Sequence, residues 1–204
     1  MTDPLAAPLE RALVRFRVQS AHNLLDEAFG AAPADVVARS LVLPLFERIE
    51  AAGDPGVLRF AASLFEIRLL IQARGWERID GPAVTLACAP REERTLGLVA
   101  LGLGLAARRC RVAYLGAATP TAALMRQDAA LTVVSAEHDD LDAAERAELR
   151  ALGTVITGRA AAPIAAALAT QALDAEPARA VEQAAGLAYR RSSRAGDATS
   201  PGGT

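Results

Sequence analysis

Two arginines and two glutamates stand together between the first strand-like run of the chain and the helix that follows it. Arg91 and Arg94 can hold an anionic group, such as a phosphate or a propionate, because guanidinium is permanently charged and can donate two parallel hydrogen bonds to one anion. They are equally suited to surface ion pairs with Glu92 and Glu93. Two carboxylates also suit acid–base catalysis, but carboxylates near the first turn of a helix are already explained by the helix dipole. The cluster therefore predicts an anion site or an ion-pair set rather than a catalytic pair.

A histidine follows the third strand-like run of the sequence. His138 comes just after Ser135, and imidazole at that place can replace a metal ligand or respond to pH near neutrality. Its acidic neighbours instead favour a solvent-facing residue ahead of a helix, where carboxylates meet free N–H groups. The other histidine, His22, lies in a helical segment and is interpreted as a packing residue.

Short motifs of common enzyme classes are absent from the sequence. There is no GxGxxG, no GxxxxGK[ST], no GxSxG and no HExxH. Cys88 and Cys110 lack CxxC spacing and are expected at opposite ends of neighbouring strands, about 17 Å apart, so both are predicted to be buried thiols without a disulfide. No catalytic residue is assigned, and the chain is predicted not to be an enzyme.

The elements that must position these residues alternate between strands and helices. This βαβ alternation is typical of a doubly wound parallel sheet with right-handed crossovers, in which ligands gather beyond the carboxyl ends of the strands. The predicted strands are 83–87, 111–115, 131–135 and 154–157, and the helices between and after them are about 92–109, 119–128, 140–152 and 161–172.

The preceding part of the chain shows helical periodicity throughout. It predicts three helices, the first running unbroken to Gly30, the second ending near Gly53 and the third reaching Gly75. A last helix is expected over 175–191. The predicted organisation is a helical bundle over 1–76, a Rossmann-like domain of the flavodoxin-like kind with flanking helices over 77–191, and a disordered tail over 192–204.

Composition excludes several classes of function. The 204 residues are 52% hydrophobic with a net charge of −2, and all 22 basic residues are arginine. Since no sequence-wide positive field exists, direct nucleic-acid binding is not expected. The most apolar stretch, 95–107, is shorter than the ~20 residues of a membrane helix, and no export signal is visible, so a cytoplasmic location is predicted.

Four short segments at the carboxyl ends of the predicted strands share a family pattern. In order along the chain they are Leu96-Gly97-Leu98, Tyr114-Leu115-Gly116 with Thr119-Pro120, Ser135, and Gly158. With the helical bundle before them, they resemble the cobalamin-binding domains of MerR-type light- and cobalamin-responsive regulators and related corrinoid proteins. The resemblance implies a cofactor-binding set at this edge, to which His138 is added by its position: Arg94, Gly97, Gly116, Thr119, Ser135, His138 and Gly158.

The chain departs from the family at the metal. Arg94 stands where the family has the histidine that binds cobalt, and guanidinium has no lone pair to donate. Leu58 and Arg59 replace the residues that cover the upper face of the corrin, and the glycine pair after the fourth strand is reduced to Thr157-Gly158. The resemblance therefore implies altered binding of cobalamin or another tetrapyrrole, or none.

Three functions remain open from the sequence. The preferred one is a sensory or regulatory module that acts through a regulatory protein partner. The alternative is a corrinoid carrier protein or a subunit of a cobalamin-dependent methyltransferase or mutase. Arg94 disfavours it, because such a protein needs a residue that can bind cobalt. A purely structural partner is the third, and assembly with further copies of the chain stays open.

Overall fold

The computed structural model describes residues 4–198, with side chains through residue 194. The chain forms two compact units that divide between Arg74 and Gly75. The first contains α1 (Ala6–Val14), α2 (Val18–Ala31), α3 (Ala34–Val37), a π-helical turn (Ala38–Val42), α4 (Leu43–Ala52) and α5 (Pro55–Gln72). The second contains a 3₁₀ turn (Trp76–Arg78), β1 (Ala83–Cys88), α6 (Leu96–Ala107), β2 (Arg111–Gly116), α7 (Thr121–Leu124), β3 (Leu131–Ser135), α8 (Ala143–Ala151), β4 (Val155–Thr157), α9 (Ala161–Leu168) and α10 (Pro177–Ala198).

The first unit is helical, as predicted, but its first helix is broken. Phe16 has a φ of 50°, and the amides of Phe16 and Arg17 bond back to the carbonyls of Leu13 and Ala12, which ends α1 before α2 begins. The prediction of one unbroken helix to Gly30 is therefore wrong. The reason is physical: both helices bury an apolar face at the same spacing, so periodicity alone does not reveal the turn between them.

The second and third predicted helices of this unit are present. The second contains the π-helical turn, which ends just before Pro44. Because proline has no N–H and its ring clashes with the carbonyl four residues earlier, a wider turn accommodates it within a continuing helix. The third begins at Pro55 and is capped by Asp54, whose carboxylate accepts hydrogen bonds from the amides of Gly56 and Val57.

The second unit confirms the predicted fold class. Its four strands are all parallel and lie in the order β2-β1-β3-β4. The chain passes from β1 to β2 on one side and then to β3 on the other, which places the topological switch point between the carboxyl ends of β1 and β3. The four strands lie within a residue or so of their predicted bounds.

Helices cover both faces of this sheet. Leu86 faces α6, where a Cβ added to Gly102 would come within 3.0 Å of the Leu86 side chain and 2.5 Å of Trp76. The absence of a side chain at Gly102 therefore lets the helix approach closely. Ala87 points to the other face, as alternate strand residues do, into an aliphatic core formed with α7, α8 and α9.

Several helices differ from their predicted bounds. The helix after β1 begins at Leu96 rather than 92, so Glu92 and Glu93 precede its first turn. The helix predicted over 119–128 is reduced to Thr121–Leu124, and that over 161–172 ends at Leu168 because Ala169 takes a left-handed φ of 51°. The last helix continues to Ala198 where the sequence predicted disorder from 192, and 199–204 lie outside the described residues.

Candidate functional site at the carboxyl edge of the sheet

A buried carboxylate lies at the switch point. The side chain of Glu92 is 7% exposed, in the loop between β1 and α6. One of its oxygens accepts the backbone N–H of Arg94 at 2.8 Å, and the other accepts the backbone N–H of Glu137, in the loop after β3, at 2.9 Å. Glu92 therefore connects the two loops that flank the switch point, and this role replaces the predicted one at a helix terminus.

Backbone hydrogen bonds reinforce the same connection. The Ala89 amide donates to the Ser135 carbonyl at 2.8 Å, which continues the β1–β3 ladder beyond the strand. The Ala118 amide, from the loop after β2, donates to the Glu92 carbonyl at 2.7 Å. The segment around Glu92 is thus bonded to the loops on both sides of it.

Glu137 carries the connection on to the loop after β4. Its carboxylate lies 3.4 Å from the Nε of Arg159. Gly158, with a φ of 98°, passes so close to this loop that an added Cβ would stand 2.4 Å from the Ala136 carbonyl oxygen. The small residue at 158 therefore serves a backbone contact within the protein.

Arg91 pairs with residues that the sequence did not indicate. Its guanidinium forms two hydrogen bonds with the Glu145 carboxylate, at 2.9 and 2.8 Å, and one with the Asp140 carbonyl at 2.8 Å. Hydrogen bonding from Arg91 lowers the pKa of Glu145, the residue that also completes the capping box of α8 with Asp142. The ion pair predicted with Glu92 or Glu93 is not observed for Arg91, whose charge is engaged on α8.

The seven predicted cofactor residues all lie along the carboxyl edge of the sheet. Arg94 is exposed, and its backbone carbonyl accepts a hydrogen bond from the Cys88 thiol at 3.5 Å. Gly97 lies in the first turn of α6 with open space where a Cβ would stand. Gly116 ends β2 at a φ of 88°, and the buried Thr119 donates its hydroxyl proton to the Gly116 carbonyl at 3.0 Å.

Two further members of this set, Ser135 and His138, differ in exposure. Ser135 is buried at the end of β3. His138 is 75% exposed, with its Nδ1 atom 3.7 Å from a carboxylate oxygen of Glu92. The solvent-facing interpretation of His138 therefore agrees with its position. Sequence reasoning identified the carboxylate of its neighbour Glu92 but not the buried position of that carboxylate between the loops.

The edge can be tested for its fit to a corrinoid. Gly97 and Gly116 leave open backbone positions, which suit the approach of a flat organic group. Arg94 cannot donate to cobalt, because guanidinium has no lone pair, and His138 is the one imidazole among the seven predicted residues. Within residues 4–198, no group of three or more histidine, cysteine, aspartate and glutamate side chains is arranged to hold a metal ion.

Comparison with known proteins identifies the fold. No protein-family model and no curated protein matches the sequence. Among solved structures, the monomethylamine corrinoid protein of Methanosarcina barkeri matches with a TM-score of 0.67 at 15% identity, over 88% of this chain and 96% of that one. This chain therefore shares the fold of that protein.

Two further structures match with lower scores. A cobalamin-binding protein from Desulfitobacterium hafniense has a TM-score of 0.43 at 14% identity, over 90% of this chain and 98% of that chain. The methanol:cobalamin methyltransferase complex of Methanosarcina barkeri has a TM-score of 0.43 at 15% identity, over 96% of this chain and 85% of that chain.

Among the described residues, no helix combines the length and apolarity needed to cross a bilayer.

Proposed function

We propose that this chain carries a corrinoid without donating a ligand to its cobalt, as the small, non-catalytic component of a methyltransferase-type system. The observation that carries the proposal is the fold shared, over 88% of the chain, with a corrinoid protein. In the proposal the chain holds the cofactor by its periphery and presents it to a protein partner. The chemistry that a corrinoid supplies, cobalt-centred transfer, belongs to the cofactor and that partner.

The chain's own residues have defined tasks in this proposal. The open backbone at Gly97 and Gly116 admits the ring, while the Thr119 hydroxyl and the Ser135 carbonyl, through their hydrogen bonds, fix the ends of β2 and β3 beside it. Arg94 is exposed at the start of α6, where a guanidinium suits the amide or carboxylate groups at a corrin's rim. No residue of the set moves a proton or binds the metal.

The first experiment asks whether the protein retains the cofactor. The purified protein is incubated with hydroxocobalamin, and in parallel with haem, and passed through gel filtration. We expect the corrinoid absorption bands to elute with the protein. A protein that stays colourless after incubation with hydroxocobalamin and also with cobinamide, a corrinoid without a nucleotide tail, overturns the carrier proposal.

The second experiment tests the missing ligand at position 94. Protein labelled with ¹⁵N is loaded with cob(II)alamin, and electron paramagnetic resonance reports any nitrogen on the cobalt axis. We expect no splitting from protein nitrogen in the native chain and a ¹⁵N doublet in Arg94→His, because imidazole restores a donor. The matched control is Glu93→His, which adds the same ring one residue away and should give no doublet. A protein-derived doublet in the native chain contradicts the proposal.

One observation favours a second function, a regulatory module that acts through protein contacts. A permanently cationic residue at 94 is compatible with a site that has lost its metal chemistry. In that case the protein remains colourless with both corrinoids and with haem, yet forms a stable complex with its partner on gel filtration.

A further inference from the structure

The carboxylate of Glu92 lies at the crevice beyond the carboxyl ends of β1 and β3, where ligands bind in sheets of this kind. The crevice at a topological switch point opens between the loops that follow the two central strands. In this structure those loops are joined across it, since Glu92 accepts the amide of Glu137 at 2.9 Å while it also accepts the amide of Arg94 at 2.8 Å. A group inserted between the loops must separate Glu92 from Glu137.

We propose that Glu92 is a specificity-determining residue that closes this crevice against corrinoids with a nucleotide tail. The inference rests on the proposed function and deepens it. A corrin ring can lie on the open backbone at the edge without parting the loops. A tail that extends from the ring into the crevice has to break the bond from Glu92 to Glu137.

The chemistry of the bond makes it an effective closure. Hydrogen bonds to a carboxylate are shorter and stronger than those between neutral groups. Because the Glu92 side chain is 7% exposed, water does not replace its partners while the loops stay together. The conformation with separated loops, which admits a tail, is therefore a minor one. The apparent affinity for a tailed ligand equals the affinity of that conformation multiplied by its population.

Other contacts between the same loops are less suited to this role. The bond from Ala89 to Ser135 joins backbone to backbone and continues the strand ladder below the crevice. The pair of Arg91 with Glu145 runs to α8 rather than to the loop after β3, and 52% of the arginine side chain is exposed, which weakens an ion pair. Glu92 is the buried, charged contact among them.

The decisive variant is Glu92→Gln. It keeps the shape of the side chain but turns one acceptor oxygen into a donor nitrogen, which then faces a backbone N–H. We expect its affinity for hydroxocobalamin, titrated by absorbance, to rise roughly 10- to 100-fold, the factor that corresponds to one hydrogen bond to a charged group. Its affinity for cobinamide, which has no nucleotide tail, should stay unchanged.

A second measurement needs no ligand. Hydrogen exchange of the Arg94 and Glu137 amides, followed by NMR, should be roughly 10- to 100-fold faster in Glu92→Gln than in the native chain. The matched control is Glu93→Gln, an exposed neighbour whose substitution should change neither exchange nor binding. If Glu92→Gln does not fold, Glu92→Asp keeps the charge on a shorter side chain and should show the same trends to a smaller extent.

The outcomes distinguish a failure of the inference about Glu92 from a failure of the proposed function. Unchanged exchange of both amides in Glu92→Gln would show that the carboxylate does not hold the loops, and it overturns the inference. Faster exchange with unchanged or weaker cobalamin binding also overturns it. If neither protein binds either corrinoid, the proposed function fails together with the tail discrimination, whereas the hold of Glu92 on the loops is still decided by the exchange rates.

Discussion

The two halves of the carboxyl edge are held together by different means. On the side of β1, β3 and β4, side-chain carboxylates bridge successive loops: Glu92 reaches the loop after β3, and Glu137 reaches Arg159 after β4. On the side of β2, the hydroxyl of Thr119 bonds within its own loop, and a backbone bond from Ala118 provides the link to β1. The first half is cross-linked by charge, and the second by local and backbone contacts.

Strand pairing shows the same difference. β1 and β3 align over Val84 to Cys88 without interruption, whereas the register of β1 and β2 shifts between Leu86 and Ala87. Irregular pairing at the end of a strand leaves backbone groups out of the ladder and redirects side chains. The loops around the switch point are therefore joined by more side-chain contacts and more regular strand pairing than the loop after β2.

Two glycines of the edge give the strongest test of this difference. Gly158 and Gly116 have similar left-handed φ values, 98° and 88°, but an added Cβ meets the Ala136 carbonyl at 2.4 Å at the first and nothing nearer than 3.9 Å at the second. Gly158→Ala should lower the free energy of unfolding by about 2 to 5 kcal/mol, from backbone strain and overpacking together. Gly116→Ala should lower it by about 1 to 2 kcal/mol, from strain alone. Urea denaturation of both variants measures the difference between their losses of unfolding free energy, and equal losses would refute the comparison.

A smaller effect is expected from the hydroxyl on the β2 side. Thr119→Val preserves the shape of a buried side chain and removes its bond to the Gly116 carbonyl. The loss of a neutral hydrogen bond should cost about 1 kcal/mol of stability. If amide exchange after β3 also accelerates in this variant, the two halves of the edge are not independent.

The smallest effect is expected from Arg91→Gln, and it depends on pH. Arg91 lowers the pKa of Glu145 in the folded protein, so the stabilisation is fully present above the ordinary glutamate pKa of about 4.3 and is lost as the pH falls through the lower folded value. Melting temperatures of the variant and the native chain should differ slightly at neutral pH and by less in acid, where the bond from Arg91 to the Asp140 carbonyl remains. A difference that is as large in acid, or in 1 M salt, as at neutral pH and low salt would contradict this assignment.

Much of the second unit could be predicted because its strands are short, apolar and separated by helices. The runs 83–87 and 131–135 needed no information beyond β propensity and the βαβ alternation. The rule that ligands gather at strand ends indicated the loops, whereas the individual site residues followed from the family resemblance. The turn at Phe16 escaped prediction because amphipathic spacing continues through it.

The bonding of the site was beyond the sequence for a different reason. Glu92 and Glu137 lie 45 residues apart, and their contact exists only once β1 and β3 are neighbours. The same holds for Arg91 and Glu145, where nearer glutamates at 92 and 93 offered a local partner. Charge pairing between loops is set by topology, and residue type reveals only that a charge is present.

The position of Cys88 gives the protein a built-in reporter. Its thiol is buried at the end of β1 and donates to the Arg94 carbonyl, so a thiol reagent reaches it only when that segment moves away. Cys110 lies before β2, at the far end of the sheet, and burial raises the pKa of its thiol, which slows its own reaction. The rate of labelling of Cys88 relative to Cys110 would therefore report how often the segment at Arg94 moves away from β1, without an introduced label site.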